Sequence, residues 1–424
     1  MRSAHSFSLL IVGCLAMLSA PLRADTNQAL TELLSTLVRN GSLTKEQADL
    51  IRQLEKSASP SQPLSAPAPA SATTVSTAGP GKAVPVYAMP KEKGISRLII
   101  SGKIHSQWDS LKTEVSNGPE LPARNSFLMR RLQLAATGYI TEQWSGLVEA
   151  DFAASNTIEQ GYISYKGVPD MEINFGYTKV PFLREEQISD SVIKAVERSA
   201  SHRAFVEQPG RGFGAKNTGV HLKGKLPRGF HYAAAVTNPG AKNSAGTAGN
   251  VANQPAYYAR LGFSRALGSG LLECGIDGGY LPDLLAAGPI SATAAHLRYD
   301  VAALSLMTEF ITASYARPGP DARQTGFMIE PSFKFTREWE LVLRYSTVDS
   351  DGLGLSPGAL IRNAPATGDF DQLKSFYVGG NYYFLGNAVR LTFGYEYAKA
   401  TGRITGAAAE NTINGLRSRM QFLF

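Results

Sequence analysis

The chain has 424 residues, 43% hydrophobic and only 18% charged, with 17 Tyr and 19 Phe against 3 Trp and a formal net charge of +7. That length and apolar content suit a large folded core rather than a disordered, collagen-like or disulfide-stapled chain, and so small a positive excess gives no reason to expect a nucleic-acid partner. No apolar run reaches the roughly 18 residues of a membrane-spanning helix, which leaves a strand-built membrane protein open.

Residues 1–24 set Arg2 and His5 ahead of an apolar stretch from Phe7 to Leu18, with the small residues Ala20 and Ala24 at its exit. This is the pattern of a secretory signal peptide. Ile11-Val12-Gly13-Cys14 also resembles a lipoprotein signal, although apolar residues run on past that point. Removal of the signal leaves Cys274 as the single thiol, so neither an internal disulfide nor a cysteine-metal cluster is expected.

Within residues 25–56, Leu30, Leu33, Leu34, Leu37 and Val38 form one helical stripe that ends at Asn40-Gly41. Thr44 with Gln47 then makes a capping box opening a second helix that carries Ala48, Ile51 and Leu54 on one face. Helices this short need a partner for their apolar faces, either one another in a coiled-coil-like segment or an envelope component. Residues 57–96 are rich in Pro, Ala, Ser and Thr and read as a linker.

From Arg97 the helical period gives way to a period of two. In residues 97–109, one parity carries Leu98, Ile100, Ile104 and Trp108 while the other carries Ser101, Lys103, His105 and Gln107. Such segments recur at 127–140, 144–154, 158–167, 170–179, 216–226, 229–238, 255–266, 270–281, 292–299, 302–315, 325–336, 338–349, 372–384, 388–400 and 412–424, sixteen in all. Their connections alternate between long and tight, and aromatic residues such as Trp108, Trp144, Tyr257, Tyr280, Trp339 and Tyr382 gather near segment ends. A soluble sandwich has no reason to keep that asymmetry, whereas an outer-membrane barrel has short turns on one side and long loops on the other. The expected fold is therefore all-β: a sixteen-stranded antiparallel transmembrane barrel over residues 97–424, preceded by a helical segment on the periplasmic side. The last segment alternates through Met420, Phe422 and Phe424. A terminal Phe of this kind resembles the signal that such proteins show to the barrel-insertion machinery.

Several blocks narrow the reading further. They are Arg130-Arg131 with Leu132 and Leu134, Ala150-Asp151-Phe152, Tyr162-Ile163-Ser164-Tyr165-Lys166-Gly167, Gly176-Tyr177-Thr178-Lys179-Val180-Pro181-Phe182, Glu197-Arg198-Ser199, and Leu416-Arg417-Ser418-Arg419-Met420-Gln421 with Phe424. Together they resemble the phosphate-selective porin O and P family over roughly residues 97–424. The resemblance implies a homotrimeric porin in the lipid of a Gram-negative outer membrane that admits small hydrophilic solutes by passive diffusion, with anions favoured and phosphate or polyphosphate among the candidates. A general porin without ionic preference, whose helices tether it to periplasmic or cell-wall partners, is the alternative reading.

In a barrel the polar parity faces inward. Basic and acidic residues of that parity nearly balance, so their distribution matters more than their sum. Closure sets the last segments beside the first, which would gather Lys103, Arg131, Arg390, Arg417 and Arg419 into a channel-lining basic wall able to raise the local concentration of anions. The longest connection, 180–215, is too apolar at Val192, Ile193, Ala195, Val196, Phe205 and Val206 for a solvated loop, and is expected to fold inward as a constriction. Its charged residues Arg184, Glu185, Glu186, Asp190, Lys194, Arg198 and Arg203, with Glu197, Glu207 and Arg211, balance in sign. No hydrolase elbow, zinc-helix motif, phosphate loop or dinucleotide fingerprint occurs, so no enzyme, cofactor or metal is expected. His105, His221, His231 and His296 share the inward parity but stand on separate strands.

Overall fold

The computed structural model describes residues 94–118, 120–153, 158–208, 213, 216–239, 254–282, 288–317 and 319–424, together with the backbone of Pro85–Tyr87. The signal peptide, the helical segment and Arg211 lie outside the described residues.

After a short strand β1 (Pro85–Tyr87), sixteen strands follow: β2 (Arg97–Ser116), β3 (Arg124–Tyr139), β4 (Trp144–Asp151), β5 (Ile158–Tyr165), β6 (Met171–Lys179), β7 (Lys216–Lys225), β8 (Phe230–Thr237), β9 (Ala256–Leu267), β10 (Gly270–Leu281), β11 (Ile290–Val301), β12 (Leu304–Tyr315), β13 (Ala322–Lys334), β14 (Trp339–Asp349), β15 (Phe370–Tyr383), β16 (Val389–Arg403) and β17 (Glu410–Leu423). Each of the sixteen pairs antiparallel with its sequence neighbours, and β17 pairs with β2 from Glu410↔Ser116 to Leu423↔Lys103. The sheet is therefore a closed barrel, which leaves no ladder edge to the lipid. β1, inside the segment read as linker, adds to the start of β2 through Pro85↔Ile99 and Tyr87↔Leu98.

The period of two decides which side chain meets which medium. Along β17, Asn411, Arg417, Arg419 and Gln421 are buried inside, while Leu416, Met420 and Phe422 are exposed outside. Phe127, Val148, Ile163, Ile276, Leu343, Phe376 and Val378 continue this outer apolar band, as a lipid-facing surface requires. Aromatic rings collect in two tiers on it. Trp144 packs on Tyr165 at 4.5 Å and Trp339 on Tyr382 at 4.7 Å toward the tight turns. Trp108–Phe127 at 6.4 Å and Tyr345–Phe376 at 4.8 Å lie toward the long loops.

The first strand runs seven residues past its expected end. Lys112 and Glu114 look like loop residues in the sequence, but both point outward and stay half-exposed, 3.6 Å apart, while Leu111 and Thr113 continue the inward row. Strand pairing above the apolar band needs no apolar outer face, so hydropathy loses the strand before the ladder ends.

Two connections fold into the barrel. The first spans 180–215 and contains α1 (Arg184–Gln187) and α2 (Ala200–Val206). Its residues Val180, Phe182, Leu183, Ala195, Val196, Ala200, Ala204 and Phe205 are fully covered. The second, between β14 and β15, contains α3 (Pro357–Leu360) and buries Leu355, Leu360, Ile361 and Ala364. Together with inward Tyr258, Leu281, Ile311 and Ile413 they make one apolar cluster inside the barrel, except that Ala195 and Val196 pack separately with Val342 and Tyr377. Each fully buried Phe or Leu there contributes on the order of 1.5–3 kcal/mol.

Gly176 marks where the wall tightens. Its φ is +138° and a Cβ would meet the Gly161 carbonyl oxygen at 2.3 Å. Gly161→Ala meets open space. Gly176→Val is therefore expected to cost roughly 1–3 kcal/mol and to reduce the fraction of chain with the heat-modifiable electrophoretic mobility of a folded barrel. Gly161→Ala should leave that fraction unchanged.

Candidate functional site: the barrel interior and its loops

A loop inside a barrel has carbonyls that neither a strand ladder nor bulk water satisfies. Here the wall of β13–β17 supplies the donors. Arg390 donates to the Ile193 carbonyl at 3.0 Å, Arg419 to Val196 at 2.8 Å, Gln421 to Ser191 at 3.1 Å, Asn381 to Lys194 at 3.0 Å and Arg344 to Glu197 at 2.7 Å. On β12, the Glu309 carboxylate accepts the backbone N–H groups of Arg184 and Glu185. The loop is thereby fixed against one side of the barrel.

That side includes most of the expected basic wall. The five residues are neighbours, as closure requires, but Arg390, Arg417 and Arg419 are no more than 2% exposed. Arg417 pairs with Glu396 at 2.9 Å and Asp109 at 3.6 Å, and it donates to the Arg362 carbonyl. Lys103 and Arg131 instead border a cavity of about 400 Å³ between the loop and β2–β7.

Each loop residue expected at the constriction has a defined place. Arg184 pairs with Glu273 at 2.7 Å, and the Glu185 carboxylate accepts from the Ser199 N–H at 2.8 Å and from its hydroxyl. Glu186 meets His202 at 2.8 Å and Lys179 at 3.5 Å. Asp190 bridges Arg131 and Arg198, each at 2.8 Å, while Lys194 pairs with Glu340 at 3.0 Å. Arg203 binds Glu207 and the Ala359 carbonyl, tying the first loop to the second.

Three residues carry more than the sequence implies: Arg130 and Glu197, which stand there only in motif blocks and charge counts, and Arg362, which it leaves unmarked. Arg130 would face outward in a regular strand that sends Arg131 inward. A register shift opposite His105/Ser106 turns both inward, so Arg130 reaches Glu197 at 2.7 Å. Two successive arginines within an alternating strand are the signal for such a bulge. Glu197 is the meeting point of both loops, accepting also from Arg362 at 3.1 Å and Gln107 at 3.1 Å. Arg362 belongs to the second loop and binds Glu207 as well.

The open part of the interior follows the opposite wall. Around the first cavity stand Lys103, Arg130, Arg131, Lys179, Arg198, Lys216 and Arg362 against Glu149, Glu159, Glu186, Asp190 and Glu207. A second cavity of about 380 Å³ lies toward the tight turns, with Lys166, Lys179, Lys223, Lys225 and Arg260 against Asp170 and Glu172. Lys179 and Gln187 border both, so the two are consecutive along one wall. Glu172 alone serves both Lys166 at 3.3 Å and Lys223 at 3.1 Å. Cations thus outnumber carboxylates along this passage.

Burial opposes ionisation of Glu197 and Asp190, but the facing cations more than reverse it. Arg130 and Arg362 hold Glu197 well below its ordinary value, and Arg131 and Arg198 do the same for Asp190. A carboxyl depressed in this way stabilises the folded loop fully above its unfolded pKa and loses that contribution only as pH falls through the lowered folded value. Single-channel conductance is expected to stay level from neutral pH down to 4.5, the ordinary glutamate value, and to change only in stronger acid. A transition centred at 4.5 would contradict the pairing. Glu197→Gln should mimic that acid state at neutral pH, because it leaves buried Arg130 without its countercharge, at a cost of about 3–5 kcal/mol, and Arg362 with Glu207 alone. The expected readout is a larger, noisier unitary conductance.

Residues 103–272 match the model of the phosphate-selective porin O and P family. No curated protein sequence matches the chain. The outer membrane channel DcaP of Acinetobacter baumannii is 14% identical and aligns over 80% of this chain and all of its own length at a TM-score of 0.55. The anion-selective porin from Comamonas acidovorans is 13% identical, over 77% of this chain and 99% of its own, also at 0.55. OmpF of Salmonella typhi, in a complex with daunomycin, is 11% identical over 80% and 100% at 0.51. At these identities the likeness is one of fold. Residues 103–272 are thus similar to the phosphate-selective porin O and P family, and the closed sixteen-stranded barrel has the fold of outer-membrane porins, with an interior narrowed by two of its own loops.

Proposed function

We propose that the channel passes small hydrophilic anions in preference to cations, with inorganic phosphate and polyphosphate as candidate permeants. The observation that carries this reading is the one-sided charge of the open passage, where a single carboxylate, Glu172, answers both Lys166 and Lys223 while Lys225 stands in the same lining. A cationic lining within low-dielectric walls concentrates anions and repels cations. Lys103 and Arg131 extend that lining past the infolded loop. The loop's own charges are paired, so it sets the width of the passage and leaves the sign to the wall.

The functional unit is a homotrimer in outer-membrane lipid with its N-terminal helices in the periplasm, an assembly supported by the family resemblance. Phe424 serves barrel insertion. Its ring covers Gly102 on the outer face, beside Phe422 at 6.0 Å, and so closes the β17–β2 seam. Deletion of Phe424 should lower the amount of protein in the membrane while leaving the conductance of inserted channels unchanged.

Reversal potentials in a salt gradient test the permeation reading. Neutralising Lys166, Lys223 and Lys225 to Gln is expected to lower the anion-to-cation permeability ratio, and the difference should shrink as salt shortens the Debye length below about 8 Å. Arg390→Gln with Arg419→Gln should alter conductance through the loop and leave the ratio near that of the parent. The paired loop charges also suit a channel without ionic preference, and a parent reversal potential of zero would establish that alternative.

A further inference from the structure

Asp277 on β10, His296 on β11 and Glu309 on β12 converge inside the barrel. One ligand atom from each lies within 4.8 Å of the others, and all three residues are buried. The ladder builds this cluster: His296 stands directly opposite Glu309, and Asp277 lies two positions from Gly275, the partner of His296 on β10. Gly275 makes room for the imidazole, since a Cβ there would meet His296 Cε1 at 2.6 Å.

The histidine is the informative member. Its side chain is 1% exposed, yet neither ring nitrogen has a hydrogen-bond partner, and the Glu273 carboxylate comes no nearer than 4.0 Å. A buried imidazole with both nitrogens unmet is costly unless an ion completes the site. The two carboxylates are oriented by other partners. Asp277 receives Arg260 through two bonds of 2.6 Å, and Glu309 takes the N–H groups of Arg184 and Glu185. A carboxylate offers about four lone-pair positions, so both retain capacity to bind a cation.

We propose that Asp277, His296 and Glu309 form a site for one divalent transition-metal ion of the zinc class. One imidazole with two carboxylates favours zinc and its neighbours over calcium or magnesium, and three protein ligands leave a fourth position for water. Two ligands of one zinc ion lie at most about 4.2 Å apart, so side-chain torsions can gather these donors without moving a strand. Arg260 is matched by Asp277 and Arg184 by Glu273, whereas Glu309 has no ion pair among the described residues. A dication answers that remaining charge. Because Glu309 also holds the start of the infolded loop, occupancy of the site would stiffen the loop's base. The site is independent of the anion preference.

The test uses the full chain, folded in detergent and stripped with chelator, titrated with Zn²⁺ alone by calorimetry. One ion per chain is expected, with affinity at least tenfold weaker in His296→Ala and in Asp277→Asn and unchanged in His105→Ala. Co²⁺ bound to the unmutated chain should show the intense visible bands of four-coordinate geometry, which keeps the proposal testable if a variant fails to fold. Absence of stoichiometric zinc binding by the parent, an affinity in both site variants equal to the parent's, or only weak octahedral cobalt bands would overturn it.

Discussion

The capture of loop carbonyls by buried guanidinium groups is the interaction on which the interior depends. A closed barrel satisfies its own backbone, but a chain segment led through its middle brings polar groups that no ladder can pair. Arg344, Arg390 and Arg419 meet that need from three strands. Arginine suits the task better than lysine, because its planar fork donates in fixed directions, it stays charged when desolvated, and it can hold a carbonyl while facing a carboxylate. Arg344 does this, binding the Glu197 carbonyl with Glu330 at 3.7 Å and Glu396 at 3.9 Å around it.

Fixing the loop to one side makes the interior asymmetric, and the asymmetry separates two roles that a count of charges would merge. Cations under the loop are enclosed by protein and act on geometry. Cations on the opposite wall border open volume and act on whatever enters it. Residues of like charge and parity therefore differ in function according to whether the loop covers them, as Arg390 and Lys223 illustrate at 1% and 23% exposure.

The strands were legible because a barrel imposes one rule on every residue: each alternate side chain meets lipid. That rule yields sixteen strands and the β17–β2 seam without knowledge of any contact. The inward loop was legible for a related reason, since Val196 and Phe205 have no place in a solvated connection. The same signal in Leu355, Leu360 and Ile361 marks the second inward loop, which the reading of strands alone passes over. Partnerships inside the barrel obey no period. Whether Arg419 faces water or a carbonyl depends on where another segment comes to rest, and the inward turn of Arg130 depends on one extra residue in a ladder.

Glu197 shows how far the two loops depend on each other. Its carboxylate lies between Arg130 of the wall and Arg362 of the second loop, and its carbonyl is held by Arg344. Arg362 in turn reaches Glu207 near the end of the first loop, and Arg203 grips the Ala359 carbonyl next to α3. Neither loop is held by the wall alone. A buried charge is stable only while its partners stay in place, and here each loop carries the countercharge of the other. Loosening either one exposes unpaired charge in both, so the two narrow the channel as one cooperative element rather than as independent flaps.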